Sequence, residues 1–196
     1  MSNQALLSPS HESAENFRVI LDAMAKPGQP FALTPNASAP SPMSAIMATI
    51  ANTLCDFQSP LWLTPALNTE AMTKHLKFHT GAPLVKEPAA ASFAFMNAID
   101  GLLPLTAFAQ GTHEYPDRSA TLVIQVEGFG HGDVELSGPG LKAPIQFGVK
   151  PLPRSFWIEM IGNHSQYPLG VDIIFVGPHE IACCPRSTRI MLKEHA

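Results

Sequence analysis

The stretch from Tyr167 to Arg189 constrains the fold of this chain more than any other part. It contains two apolar runs, Val171–Val176 and Ile181–Cys184, separated by residues 177–180 (GPHE). Runs rich in β-branched residues on either side of Gly-Pro are typical of a β-hairpin. Because both runs are apolar at successive positions, both faces of the hairpin should be covered. The sequence therefore predicts a hairpin in the interior of a sheet.

Two charged residues stand at the ends of this apolar hairpin. Asp172 begins the first strand and Arg186 follows the second. A buried carboxylate costs several kcal/mol unless it is paired, so Asp172 needs a partner. If Val176 pairs with Ile181, an ideal ladder places Asp172 and Arg186 on opposite faces, but Pro185 can end the strand and redirect Arg186. Two interpretations stay open, a structural ion pair and a contact with a ligand or subunit.

Composition argues against some partners and in favour of others. Charged residues make up 14% of the chain, hydrophobic residues 45%, and the net charge is −4. Without a basic surface, the chain is not expected to bind nucleic acid. Globular domains usually contain about 25% charged residues, so this chain is expected to bury surface against partners, although a low-charge monomer also fits. At 196 residues we expect one domain, residues 1–196.

The sequence carries no signal for a membrane or for secretion. No apolar run approaches the roughly 18 residues that span a bilayer. Residues 1–13 lack the basic region and apolar core of a signal peptide. The cysteines, Cys55, Cys183 and Cys184, are odd in number and form no Cys-x-x-Cys pair, which argues against a disulfide framework or a metal cluster. These features favour a reducing cytoplasm.

Apolar residues at helical spacing predict four helices. They are expected at residues 13–26 with Ser13 as N-cap, from Ser41-Pro42 to near Asp56 with Ser41 as N-cap, from a cap at Asn68 or Thr69 to about Phe78, and at Ser155–Ile161. Residues 101–110 stay ambiguous between helix and coil because Pro104 interrupts them.

Further strands are predicted at short apolar runs bounded by Pro or Gly. They are residues 29–33, Leu61–Thr64, Phe93–Phe95, Ala120–Glu127 and Val134–Leu136. We expect the last of these to pair back on Ala120–Glu127 through a turn at Gly128, Gly130 and Gly132. Helices and strands alternate early and strands cluster late, which indicates an α/β fold with a mixed β-sheet flanked by helices.

Two histidines have the spacing of metal ligands. His75 and His79 stand four residues apart on a predicted helix. No Glu completes a His-Glu-x-x-His pattern and no third ligand is evident, so we predict no metal site. His79 can instead cap carbonyl groups at the helix end or face a partner.

Other groups that could carry chemistry are weak candidates. Arg154, Arg186 and Arg189 together suit a phosphate or phosphonate, but they can equally be solvated or interface arginines. The run 138–140 (GPG) lacks the Lys-Ser/Thr of a phosphate-binding loop, so a turn is the better interpretation. None of the seven lysines lies in an apolar strand-end setting that would depress its pKa. The residues alone predict no evident active site.

Five segments in order along the chain resemble one family, PhnH, the H subunit of the carbon–phosphorus lyase system for phosphonate degradation. They are Phe17–Gly28, Ser59–Thr64, Leu76–Val85, Ala120–Val126 and Tyr167–Thr188. The most specific part is the run Pro-Leu-Gly-Val-Asp with the later Pro-Arg-Ser-Thr. The family usually has Thr where Ser187 stands, and the hydroxyl group is kept.

The resemblance implies a cytoplasmic homodimer with a fold similar to the large domain of pyridoxal-phosphate-dependent transferases, without that cofactor. It also implies a core assembly with subunits G, I and J. With the G, I and L proteins, such a subunit supports attack of a phosphonate on the ribose C1′ of ATP. Adenine leaves, and ribose 1-phosphonate 5-triphosphate forms. The radical step belongs to the iron–sulfur subunit J.

For this chain, the resemblance implies no cofactor and no complete active site of its own. ATP and a phosphonate are its possible ligands. Asp172, Arg186, His79 and Arg189 become candidates for shaping the dimer interface or a small-anion pocket. A stand-alone degenerate pyridoxal-phosphate-type transferase and a pure assembly scaffold remain the alternatives.

Overall fold

The structure, a computed structural model, describes residues 9–193. Residues 1–8, part of the segment in which no signal peptide is expected, lie outside the described residues. Within residues 9–193 the chain forms four α-helices, α1 (Pro9–Ala25), α2 (Ala45–Leu54), α3 (Glu70–Thr80) and α4 (Arg154–Ser165). The same residues form nine strands, β1 (Phe31–Ala32), β2 (Leu61–Leu63), β3 (Phe93–Asn97), β4 (Thr121–Gln125), β5 (Gly128–Ser137), β6 (Ile145–Lys150), β7 (Asp172–Val176), β8 (Glu180–Cys184) and β9 (Arg189–Leu192).

The strands make two sheets. The larger has the order β1-β8-β7-β4-β3-β2, and the smaller has the order β6-β5-β9. Strands β2, β3, β4 and β7 run parallel, whereas β8 is antiparallel to β7 and to β1. The large sheet is therefore mixed and flanked by helices, as the sequence predicts. We call the edge at which the four parallel strands begin the amino edge and the opposite one the carboxyl edge.

The predicted hairpin lies inside the large sheet and is covered on both faces. Ile174 and Val176 of β7 belong to a core cluster with α1, α2 and α3. Their neighbours Ile173 and Phe175 belong to a second cluster with α4 and the small sheet. Because successive side chains in a strand point to opposite faces, an apolar residue at each position serves both cores. The prediction of covered faces is confirmed.

The four predicted helices are present, but two begin elsewhere. α1 begins at Pro9, not after Ser13; proline suits a first turn because its missing N–H has no helical partner there. The N-cap of α2 is Ser44, whose hydroxyl accepts a hydrogen bond from the Met47 amide at 3.2 Å, so the predicted cap at Ser41 is wrong. No helix among the described residues has the length and apolar character needed to cross a bilayer.

The prediction for Val134–Leu136 is wrong. These residues do not pair back on β4 but belong to β5, which pairs with β6 and β9 in the small sheet. Gly128 and Gly130 lie within this strand, and the β5–β6 register shifts between Gly130 and Val134, as in a β-bulge. Strands β6 and β9 were not predicted from the sequence. The ambiguous residues 101–110 contain one 3₁₀ turn, Leu105–Ala107.

Candidate functional site

Asp172 and Arg186 meet at the amino edge, because the β7–β8 ladder ends just before them. The predicted register is confirmed, with Val176 opposite Ile181, and the last pair is Ile173 with Cys184. The chain leaves the ladder after Cys184, so the alternation of faces no longer applies to Arg186. Its backbone amide donates to Asp172 Oδ1 at 2.8 Å, which holds the turn beside the start of β7.

The two side chains form a two-point ion pair. Arg186 Nη2 lies 2.5 Å from Asp172 Oδ2, and Arg186 Nε donates to Asp172 Oδ1 at 3.1 Å. Both side chains are largely buried, with 14% of Arg186 and 17% of Asp172 exposed. The geometry is the side-on pairing that a planar guanidinium forms with a carboxylate.

The remaining guanidinium N–H groups are also bonded within the chain. Nη1 donates to the carbonyl oxygens of Pro116 at 2.8 Å and Pro168 at 3.4 Å, and Nη2 donates to the hydroxyl of Ser119. We call Arg186, Asp172, Ser119 and these two carbonyl groups the Arg186 cluster. Every N–H group of the guanidinium has a partner in it. This arrangement favours a structural ion pair over an anion-binding arginine.

A cavity of about 320 Å³ opens beside the cluster. Its lining includes the carboxylates of Asp117 and Asp172, together with Tyr167 and Ser187. Arg186 also lines it, but its donors already have partners. Since a phosphate or phosphonate needs free cationic donors, this cavity is poorly suited to such an anion.

Asn163 of α4 positions the start of β7, a role that no pattern in the sequence predicted. The side chain of Asn163 accepts from the Val171 amide at 2.8 Å and donates to the Val171 carbonyl at 2.9 Å. Gly170 has a φ of +114°, and a Cβ atom there would lie 2.6 Å from Asn163 Oδ1. Only glycine fits this approach. The glycine directly before Val171 and Asp172 is the one feature of the sequence that could have indicated this close approach.

His79 lies apart from the Arg186 cluster, at the exposed end of α3. The rings of His75 and His79 are 4.3 Å apart between centroids, and Phe78 meets His79 edge-on at 5.1 Å. Burial, followed by the charge of His79, lowers the pKa of His75 below its ordinary value. After α3 the chain returns to the large sheet, where Leu84 forms a parallel β-bridge with Leu61 of β2. His79 does not line the cavity beside the Arg186 cluster, and its role at an interface stays a prediction.

The three arginines grouped by the sequence analysis do not share partners. Arg154 begins α4 and donates to the Lys193 carbonyl at 3.2 Å. Arg189 is exposed at the start of β9, where it pairs with Ser137 of β5. Among the contacts of the described residues, neither joins the bonds of Arg186. A phosphate-binding group of the three arginines stays a prediction.

The glycines at 138 and 140 lie in a turn, as predicted. A Cβ atom on Gly140 would overlap the Ala25 carbonyl oxygen at the end of α1. This glycine allows the turn to pack closely against the helix end. Its conformation serves packing between the small sheet and α1.

All three cysteines are buried free thiols. Burial is the main cause that raises their pKa values, that of Cys184 to about 12. A thiol with so high a pKa is protonated at neutral pH and reacts slowly. Among the described residues, no three His, Cys, Asp or Glu side chains gather as metal ligands.

Comparison with known proteins places this geometry in context. A family model described as "Bacterial phosphonate metabolism protein (PhnH)" matches residues 4–191. The alpha-D-ribose 1-methylphosphonate 5-triphosphate synthase subunit PhnH of Rhizobium meliloti (strain 1021) is 35% identical over 187 residues, covering 95% of this chain and 94% of that protein. The putative C-P lyase subunit protein HtxG of Stutzerimonas stutzeri is 29% identical over 188 residues, covering 95% and 88%. The range matched by the family model includes the hairpin and the whole Arg186 cluster.

Proposed function

This chain belongs to the PhnH family of bacterial phosphonate metabolism proteins, and we propose that it is a subunit of a carbon–phosphorus lyase complex. The observation that carries the proposal is the extent of the likeness. The Rhizobium meliloti relative, a synthase subunit by name, aligns over 95% of this chain at 35% identity. The aligned range contains residues of both core clusters and both sheets, so the likeness is not limited to one shared motif.

In the proposed role, the chain supports formation of a ribose 1-phosphonate 5-triphosphate. A phosphonate oxygen attacks C1′ of the ATP ribose, the C1′–N9 bond breaks, and adenine leaves with the electron pair and takes up a proton. We assign this chain no complete active site. The support is the Arg186 cluster, whose donors are all bonded within the chain.

We propose that the chain acts as one domain in a cytoplasmic homodimer, joined to subunits G, I and J and working with L. Exposed apolar side chains and the low content of charge support such contacts. Phe57, Phe78 and Ile158 are 71%, 83% and 54% exposed. The predicted likeness to the large domain of pyridoxal-phosphate-dependent transferases stays a prediction, as do interface roles for Asp172, Arg186, His79 and Arg189.

An independent pyridoxal-phosphate-type transferase receives less support. Such an enzyme holds its cofactor through a lysine whose pKa is lowered in a desolvated setting. Six of the seven lysines are exposed and Lys193 is half-buried. None has the buried environment that this chemistry requires.

Assembly tests the proposed function directly. The chain is co-expressed with subunits G, I and J, and the complex is isolated through a tag on I. We expect this chain to co-elute in a fixed ratio, and the complex assembled without it to lose release of adenine from ATP and a phosphonate in the presence of L. Phe78→Ser and Ile158→Ser probe the exposed surfaces, with the exposed Thr112→Ser as the conservative control. A chain that never co-elutes, or a complex equally active without it, would contradict the proposal.

A further inference from the structure

A second cavity lies at the carboxyl edge, opposite the Arg186 cluster. It has a volume of about 560 Å³, within the range of small-molecule sites. The residues after β2 (64–66) form one wall, and residues 100–103, which follow β3, form the other. Open α/β sheets bind ligands outside the carboxyl ends of their strands where the strand order reverses; β2 and β3 are neighbours without such a reversal, so the walls of the cavity themselves carry the argument. We call this space the carboxyl-edge cavity.

A buried hydroxyl group in its wall lacks a partner. Thr64 is 4% exposed, and its backbone amide donates to the Phe95 carbonyl at 3.1 Å, which fixes the residue at the end of β2. Its hydroxyl oxygen is enclosed and has no hydrogen-bond partner among the described residues, and rotation about the Cα–Cβ bond is needed to turn it toward the cavity. Buried polar groups in folded proteins are nearly always bonded, so an unbonded one in a cavity wall points to a missing partner.

The lining determines what kind of ligand can enter. Trp62, Leu102 and Leu103 supply apolar surface, and Asp100 supplies a carboxylate. No lysine or arginine belongs to the lining. A phosphate or phosphonate would therefore meet a negative charge and no cation. An uncharged planar ring with N–H groups at its rim suits the same walls, because it stacks on apolar surface and donates to a carboxylate.

We propose that the carboxyl-edge cavity binds the uncharged purine ring of a nucleotide, with its phosphates outside. The choice of adenine rests on the proposed function, in which ATP is a substrate. Asp100 accepts a hydrogen bond from the exocyclic amine, and the Thr64 hydroxyl, once its side chain has rotated toward the cavity, donates to a ring nitrogen. The site thus holds the part of the substrate that later leaves.

Binding of adenosine to the full chain tests this, both for the isolated chain and for the assembled complex. Titration calorimetry is expected to detect adenosine and not tripolyphosphate. The fluorescence of Trp62 should change on titration, whereas Trp157, 1% exposed on the buried face of α4, should not respond. Trp62→Phe is therefore expected to abolish the change. Absence of adenosine binding at millimolar concentration in both preparations would overturn the proposal.

Two pairs of variants locate the ligand. Thr64→Val keeps the shape of the side chain and removes the hydroxyl, so affinity for adenosine should fall about fivefold to tenfold. Thr188→Val, at a buried threonine outside the cavity, should leave it unchanged. Ala66→Phe should block the cavity, and Ala89→Phe, at an exposed alanine elsewhere, should not.

These outcomes separate this inference from the proposed function. Unchanged affinity in both Thr64→Val and Ala66→Phe would place the adenosine elsewhere and overturn the assignment of the cavity. If the complex nevertheless assembles and releases adenine, the proposed function stands without it. If adenosine binds as expected but the chain never joins the complex, the assignment of the cavity is supported and the proposed role as a subunit is rejected.

Discussion

The two edges of the large sheet carry cavities of opposite character. At the amino edge, the lining of the cavity beside the Arg186 cluster includes Asp172 and Arg186, which already bond one another. At the carboxyl edge, the cavity is mostly apolar, and its buried Thr64 hydroxyl has no partner among the described residues. A charged group is thus not a binding group by its charge alone. A polar group can bind a ligand only if some of its hydrogen-bond donors or acceptors are not already bonded within the chain.

The largest expected effect is the loss of the ion pair. Arg186→Ala leaves Asp172 as a carboxylate without its partner and should lower the free energy of unfolding by about 3 kcal/mol, the lower end for buried pairs because both side chains retain some exposure. Urea denaturation measures the change. Arg154→Ala, at an exposed arginine with a bond to the Lys193 carbonyl, is the matched control and should cost less than about 0.5 kcal/mol.

The double variant Asp172→Ala/Arg186→Ala sharpens this prediction. If the ion pair is structural, the double variant should be more stable than the sum of the two single effects predicts, because neither charge is left alone. Equal stability of Arg186→Ala and the wild-type chain, combined with lost assembly, would instead assign Arg186 to a subunit contact.

Removal of one hydroxyl at each edge should change stability in opposite directions. Ser119→Ala removes the acceptor of an Arg186 N–H and should lower the free energy of unfolding by about 1–2 kcal/mol. Thr64→Val removes a buried hydroxyl that has no partner, so stability should stay equal or rise by up to about 1 kcal/mol. Thermal unfolding without ligand compares the two. A similar loss in both variants would show that the edges do not differ in this way.

The smallest expected effect concerns pH. The lowered pKa of His75 means that the unfolded chain binds its proton more readily than the folded chain does. This residue therefore destabilises the fold as the pH falls through the ordinary histidine value near 6.5. His75→Gln should flatten the decline of stability between about pH 7 and pH 5. His79→Ala should flatten it only in part, since burial is the larger cause; an unchanged slope in both would contradict this account.

The hairpin could be predicted from the sequence because its information is local. An apolar residue at every position of Ile173–Val176 and Ile181–Cys184 indicates covered faces, and the turn residues set the register that the structure has. The partners of Arg186 could not be predicted in this way. Ser119 and the Pro116 carbonyl come from a segment between strands, some 70 residues earlier in the chain. No local sequence pattern predicts such a long-range contact.

Other errors have physical causes as well. The glycines of β5 indicated a turn, yet glycine also permits the bulge at which this strand changes register. The carboxyl-edge cavity is formed by two loops from different parts of the chain, so no single motif could reveal it. Thr64 was correctly expected at the end of a strand, but its unbonded hydroxyl is a property of the packed molecule.

Chemical labelling of the two adjacent cysteines of β8 can report separately on the two layers that cover the large sheet. Cys183 lies in the cluster under α1, α2 and α3, and Cys184 lies in the cluster under α4 and the small sheet. A thiol reagent reaches each one only when the layer above it detaches. The rates of labelling at these two neighbouring atoms therefore measure the opening of the two faces separately, within one native hairpin.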